Sequence, residues 1–160
     1  MEVQRRMIPM ESLAELIRIQ LAERGRASLT VTGNSMYPML RNCRDQVELI
    51  PVADRQNKTD IILYRRDNGQ YILHRIVAMT QDGYICCGDN QSEKEFVRHD
   101  QLLAVVDGFI RNDKKYTLRH PGYQVYVAVC VGLFSIRRYL LRVRRCLGRL
   151  RRGLARRKNG

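Results

Sequence analysis

Hydrophobic positions near the N-terminus of this chain recur at helical spacing. Apolar side chains follow one another at intervals of three, one and four residues and stop before Gly25, a common residue at helix ends. The pattern predicts a short helix with a single apolar stripe formed by Leu13, Leu16, Ile17 and Leu21. We interpret it as a helix that packs against the rest of the domain.

Between residues 27 and 119 the hydrophobic pattern shortens to that of β-strands separated by brief turns. Residues 61–64 form a continuous apolar run, which predicts a buried strand. Asn68-Gly69 after Asp67 is a strong hairpin-turn signal. The predicted strands cover residues 27–32, 46–52, 60–65, 71–79, 84–87, 96–97 and 102–110. Their close spacing predicts a mainly β domain, as in a barrel or a sandwich.

From residue 120 onward the pattern becomes helical again. Residues 123–136 form an apolar run shorter than the about 20 residues of a spanning helix, so we expect it not to span unless it extends to 139–141. Arginines then fill the polar face of a helix whose apolar stripe is Ile136, Leu140, Val143, Leu147, Leu150 and Leu154. The chain thus divides into an N-terminal helical segment (1–26), a β domain (27–119) and an apolar, then Arg-rich, amphipathic helix (120–160).

The positive charge of the chain is concentrated in this last segment. The net charge is +13, and residues 137–158 hold ten Arg and one Lys without an acidic residue. The other 18 Lys and Arg nearly balance the 16 Asp and Glu. A helix of this kind is typical of binding to an anionic membrane surface, with nucleic-acid binding and packing on the domain as alternatives. Since residues 1–25 carry no secretory signal, we expect the cytoplasmic face, with an integral membrane protein as the alternative.

The cysteines do not predict a metal or redox cofactor. The chain has five Cys, an odd number, and Cys86 and Cys87 are adjacent, which disfavours a pair between them. No Cys-x-x-Cys motif is present, so zinc is not expected. We interpret the cysteines as reduced thiols and expect no cofactor.

Three polar residues stand in turn or strand contexts that suit a serine hydrolase. Ser35 follows a turn opened by Gly33, His74 leaves an apolar strand, and Asp89 lies in a Gly-Asp-Asn turn. A serine hydroxyl is a weak nucleophile until a positioned base takes its proton, and a largely neutral imidazole suits that role. A carboxylate behind the imidazole fixes its tautomer and stabilises the cation that forms.

Short motifs follow one another across the β domain, namely Ser35-Met36-Tyr37-Pro38, Arg44-Asp45-Gln46-Val47, Thr59-Asp60-Ile61-Ile62, His74-Arg75-Ile76-Val77 and Gly88-Asp89-Asn90. In this order they resemble the motifs of type I signal peptidases and the wider S24/S26 serine peptidase clan. The histidine box and the acidic turn are similar to the archaeal and endoplasmic-reticulum branch, in which histidine replaces the bacterial catalytic lysine. Arg44 and Thr59 stand where the family has glycine.

The resemblance implies an S24/S26 peptidase-like β fold and endopeptidase activity on a peptide or preprotein. Ser35 would be the nucleophile, His74 the general base and Asp89 the partner of His74. The family branch often has a second acid after the Asp-Asn turn, and here Glu93 and Glu95 are the candidates. The substrate would bind in an extended form along a strand edge, with small residues before the cleaved bond.

Two other functions stay open at the level of sequence. The first is a non-catalytic, membrane-surface module that binds peptides on the same fold and uses the Arg-rich helix as its anchor. The second is a self-cleaving regulator that resembles the S24 repressors. The residues before Ser35 hold a single predicted helix, which argues against a helix-turn-helix and hence against this second alternative.

Overall fold

A curled, antiparallel, eight-stranded sheet forms the body of the protein, which a computed structural model describes for residues 10–132. The prediction of a mainly β chain with a short N-terminal helix is confirmed. Two α-helices flank the sheet, α1 (Met10–Arg24) and α2 (Pro121–Gly132). The strands are β1 (Ala27–Thr30), β2 (Gln46–Ile50), β3 (Ile61–Arg65), β4 (Tyr71–Met79), β5 (Gly83–Cys87), β6 (Glu95–Arg98), β7 (Leu102–Arg111) and β8 (Lys114–Thr117).

The strand order places β7 at the junction of the sheet. The order is β1-β2-β7-β3-β4-β5-β6, with β8 pairing on β7, and every pairing is antiparallel. The register shifts in three of these pairings, on β2, β3 and β4. Such bulges increase the local twist, which fits the curled shape of the sheet.

Strand β3 is buried on both faces, as its apolar run predicts. Its first four side chains are each at most 2% exposed. Ile61 and Leu63 belong to an apolar cluster shared with α1, β1, β2 and α2. Ile62 and Tyr64 belong to a second cluster on the opposite face, with side chains of β4, β5 and β6. The alternation of side chains along the strand therefore divides the core into two clusters.

Helix α1 ends where the sequence predicts, but its buried face differs by one position. Gly25 has a φ of +66°, and its N–H bonds the carbonyl of Leu21, so the helix ends in a left-handed glycine. The prediction that Leu16 lies in the apolar stripe is wrong, because this side chain is 46% exposed. Ala14 is buried with Ile17 and Leu21, at spacings of three and four residues that stay on one helix face.

Strand β8 has no counterpart among the predicted strands. It contains two lysines and a threonine beside Tyr116, so its composition gives a weak strand signal. The turn before β8 determines this strand, since Asn112 and Asp113 have φ values of 49° and 60°. Two consecutive left-handed residues are characteristic of a type I′ hairpin, which folds β8 back onto β7.

Helix α2 packs one side on the sheet and leaves the other exposed. Tyr123 and Val127 are buried in the first apolar cluster, whereas Val125 and Val129 are 64% and 52% exposed. Within residues 10–132, no helix combines the length and the apolar character needed to cross a bilayer. The predicted Arg-rich stripe, together with the end of the apolar run, lies outside the described residues.

Candidate active site

The loop that carries Ser35 is closed by backbone hydrogen bonds at its base. The N–H of Cys43 donates to the carbonyl of Val31 at 2.7 Å, and the N–H of Val31 donates to the carbonyl of Asp45 at 3.0 Å. Gly33 has a φ of +84°, and its N–H donates to the side chain of Asn42 at 2.9 Å. The loop thus makes its sharp bend two residues before Ser35, whose side chain remains half-buried.

An ion pair anchors the same loop to the end of β7. The Asp45 carboxylate is 1% exposed and lies 2.6 Å from a guanidinium nitrogen of Arg111. It also accepts the backbone N–H of Arg41 at 3.0 Å. Arg111 in turn donates to the carbonyl of Met39. Asp45 therefore acts as a support for the Ser35 loop, and this support was not evident from the sequence.

The turn that begins at Gly88 packs directly against Ser35 and His74. The N–H of Asn90 donates to the carbonyl of Ser35 at 2.7 Å, and its side-chain amide donates to Asn34 at 3.2 Å. A Cβ atom on Gly88 would lie 2.7 Å from that Ser35 carbonyl oxygen and 3.1 Å from both Nε2 of His74 and Cβ of Ser35. Only glycine permits this approach. Because Nε2 of His74 and Cβ of Ser35 each lie 3.1 Å from this one point, the two atoms are at most twice that distance apart.

His74 is buried, with its second ring nitrogen turned to a carboxylate. Nδ1 lies 2.9 Å from Oε1 of Glu95 and 3.0 Å from the hydroxyl of Tyr64. Burial lowers the pKa of His74 below its ordinary 6.5, and the negative charge of Glu95 offsets only part of this effect. The ring is therefore neutral at pH 7. A proton on Nδ1 shared with Glu95 leaves the lone pair of Nε2 directed at the Ser35 side.

Glu95 is itself held by two neighbours. Arg66 donates to both carboxylate oxygens, at 2.7 and 2.8 Å, and the Tyr64 hydroxyl donates to Oε1. Burial alone would raise the pKa of Glu95, but the hydrogen bonds from Arg66 and Tyr64 outweigh it and keep the pKa below its ordinary 4.5. Glu95 is thus an anion at neutral pH, fixed in place beside His74.

Asp89 lies next to this site but has a different partner from the one predicted. Arg75 donates to its two oxygens at 2.9 and 2.7 Å, and the Tyr126 hydroxyl donates to Oδ2 at 3.1 Å. The carboxylate at Nδ1 of His74 is that of Glu95, one of the two acids that the sequence analysis left as candidates for a second acidic role. The side chain of Glu93, the other candidate, is exposed.

The register of the sheet explains why the two carboxylates separate. Ile76 of β4 pairs with Cys86 of β5, and Cys86 pairs with Glu95 of β6, so these three side chains lie on one face of the sheet. His74 precedes Ile76 by two residues and therefore lies on the same face. Arg75 pairs with Cys87 on the opposite face, and Asp89 follows Cys87 by two residues. If the pairing of β5 with β6 had been known, the alternation of side chains would have placed Glu95 with His74 and Asp89 with Arg75.

Within residues 10–132, no group of three or more His, Cys, Asp or Glu side chains has an arrangement that could hold a metal ion. Burial raises the pKa of the Cys86 thiol to about 12, so this thiol stays protonated at neutral pH.

Comparison with known proteins adds no relative against which the site can be judged. No family model, no curated protein and no solved structure matches the chain. What the fold and the site define is a mainly β protein in which a half-buried serine, a buried neutral histidine and a fixed glutamate lie on adjoining segments.

Replacing Asp89 by Asn should destabilise the fold. Its side chain and that of Arg75 are 3% and 2% exposed, and loss of one buried charge leaves the other uncompensated, which costs about 3–5 kcal/mol. The free energy of unfolding, measured in urea, should fall by that amount. Asp67→Asn is the matched control. Its ion pair with Arg98 is exposed, so this variant should change the free energy of unfolding little. Equal midpoints for Asp89→Asn and the wild type would contradict a structural role for this pair.

Proposed function

We propose that this protein is a serine endopeptidase of the signal-peptidase type, acting on a peptide or preprotein. The observation that carries the proposal is the packing around Gly88, where the position of the missing Cβ lies 3.1 Å from both Cβ of Ser35 and Nε2 of His74. A nucleophile and a base that approach the same glycine can exchange a proton once a substrate is bound. The half-buried position of Ser35 leaves it open to a peptide from outside.

The proposed reaction proceeds through an acyl-enzyme. The Ser35 hydroxyl attacks the carbonyl carbon of the scissile bond while Nε2 of His74 takes its proton. The tetrahedral intermediate collapses, the C–N bond breaks, and His74 returns the proton to the leaving amine. Water then attacks the ester on Ser35 with His74 again as base. This step releases the acid product and restores the serine hydroxyl.

In this mechanism Glu95 takes the role that the sequence analysis gave to Asp89. Its carboxylate accepts a hydrogen bond from the Nδ1–H of His74, fixes the tautomer and stabilises the imidazolium formed when Nε2 takes the serine proton. Arg66 and Tyr64 hold Glu95 in place. Asp89 acts instead as a support, because it stabilises the turn that presses against Ser35.

A backbone feature supports the resemblance to the S24/S26 clan. Thr59 occupies the position at which the family has glycine, and its φ is +87°. This region of φ favours glycine and is uncommon for a β-branched residue. Backbone hydrogen bonds between residues 59–60 and Ile76 join this turn to β4, close to His74. The chain thus keeps the glycine-like conformation without the glycine.

Acylation of Ser35 should depend on both proposed catalytic residues. A serine-directed fluorophosphonate should label the wild type, and Ser35→Ala and His74→Ala should each lower the rate of labelling by about a hundredfold or more, because nucleophile and base act together. Ser28→Ala and His99→Ala are the matched controls, since both side chains are exposed outside the site. Label on a serine other than Ser35, or full labelling of His74→Ala, would refute the mechanism.

The labelling rate should also rise with pH as His74 loses its proton. The midpoint should lie below 6.5, since burial lowers the pKa of His74. Glu95→Gln removes a charge that raises this pKa, so the midpoint should move to still lower pH while the maximal rate falls about a hundredfold. Glu93→Gln, a change in the loop that leads into β6, should alter neither value, since this residue is exposed. An unchanged midpoint in Glu95→Gln would exclude it as the partner of His74.

A second candidate function, binding to an anionic membrane surface, is favoured by the outer face of α2. Val125 and Val129 are four residues apart and exposed. The sequence after α2 is rich in arginine and lacks acidic residues from 137 to 158. Apolar side chains followed by a dense positive charge suit the boundary between lipid headgroups and acyl chains. This function is compatible with the peptidase and would also serve a non-catalytic module.

Vesicle binding provides the test of this second function. The full chain should sediment with phosphatidylserine-containing vesicles and much less with neutral ones. Val125→Asp with Val129→Asp should weaken binding about tenfold or more, because two apolar side chains no longer enter the interface. Val52→Asp is the control, as this valine is 38% exposed in the loop after β2. Equal binding of the double variant and the wild type would exclude the α2 face from the interaction.

A further inference from the structure

Two tyrosines of helix α2 reach the ion pair beside the candidate active site. The Tyr123 hydroxyl accepts a hydrogen bond from Nη1 of Arg75 at 2.9 Å. The Tyr126 hydroxyl donates to Oδ2 of Asp89 at 3.1 Å. The guanidinium carbon of Arg75 also lies 5.7 and 6.0 Å from the centres of the two tyrosine rings. One turn of α2 thus contacts both members of the pair.

These contacts fall within a buried polar network. Arg75 directs two nitrogens to Asp89 and the third to the carbonyl of Thr59 and to Tyr123. Arg75 and Asp89 are almost fully buried, so each donor and acceptor in the network needs a partner inside the protein. A tyrosine hydroxyl removed from this network leaves a buried charged group short of one hydrogen bond.

The members of the network are chain neighbours of the groups proposed to react. Arg75 directly follows His74, and Asp89 directly follows Gly88, which packs against Ser35. We propose, on the basis of the proposed peptidase function, that Tyr123 and Tyr126 are positioning residues through which helix α2 holds the Gly88–Asn90 turn against Ser35. They act through Arg75 and Asp89 and touch neither reacting atom.

The packing of α2 gives the hydroxyl contacts particular weight. Tyr123 and Tyr126 of α2 line an open pocket of about 320 Å³ together with Pro38 and Met39 of the Ser35 loop. At this point the space between the helix and the loop is not filled by close-packed side chains. Beside this pocket, the hydrogen bonds of Tyr123 to Arg75 and of Tyr126 to Asp89 join the helix to the charged pair next to the Gly88 turn, in addition to the apolar packing of Tyr123 and Val127.

The experiment compares Tyr126→Phe, Tyr123→Phe and the double variant in the full chain. Each change removes a hydroxyl and keeps the ring. Tyr116→Phe is the matched control, since its ring stacks on Phe109 and lines the same cavity. Two readouts are measured: fluorophosphonate acylation of Ser35 as a function of probe concentration, and hydrogen exchange of the Asn90 and Gln91 amides, which bond Ser35 and Gly88.

The double variant should acylate about tenfold or more slowly at saturating probe, with the half-saturating concentration unchanged, because the reacting groups are displaced while the probe still binds. The Asn90 and Gln91 amides should exchange faster, and the amides of β3 should keep their wild-type rates, which separates local loosening from general destabilisation. Tyr116→Phe should change neither readout.

Two results would overturn this inference. The first is unchanged exchange of Asn90 and Gln91 in the double variant, and the second is faster exchange that extends equally to β3. Failure of the proposed function has a different signature. The wild type would then show no acylation of Ser35 at all, while exchange in the 88–91 turn would still report whether the two tyrosines hold it.

Discussion

The buried ion pair between Arg75 and Asp89 is the interaction on which the rest of the site depends. It joins strand β4, the Gly88 turn, the Thr59 turn and helix α2 at one point. Removing two charges from water is costly, and here a bidentate geometry with further hydrogen bonds offsets that cost. The pair therefore constrains four segments at once, and one of them, the Gly88 turn, packs against Ser35.

Strand β4 separates this support from the proposed chemistry by simple alternation. His74 points to the face that holds Tyr64 and Glu95, and Arg75 points to the face covered by α2. Two adjacent residues thus serve different purposes without competing for one carboxylate. The arrangement gives His74 a dedicated anion and leaves Asp89 to neutralise the arginine.

The electrostatics of the two faces suit these separate purposes. Glu95 is partly exposed, stays ionised through Arg66 and Tyr64, and can stabilise a transient imidazolium during the proposed reaction. Burial lowers the pKa of His74 and keeps the ring neutral at pH 7, as the proposed role of general base requires. On the other face, Arg75 keeps its charge permanently, because Asp89 and Tyr123 outweigh the effect of burial and raise its pKa. On the first face His74 can gain and lose a proton, whereas on the second face the charge of Arg75 does not change.

Local patterns determined most of the secondary structure: the apolar run of β3, the Asn68-Gly69 hairpin and the end of α1 at Gly25 follow from side-chain period and turn chemistry. The sequence also singled out Ser35 and His74, which the structure brings to a common glycine. Sequence patterns did not predict β8, because the feature that determines this strand is the turn before it, at residues 112–113. Only the tertiary structure decided that Glu95 and not Asp89 meets His74, because strand register sets which charges share a face, and register depends on pairings between segments far apart in the chain.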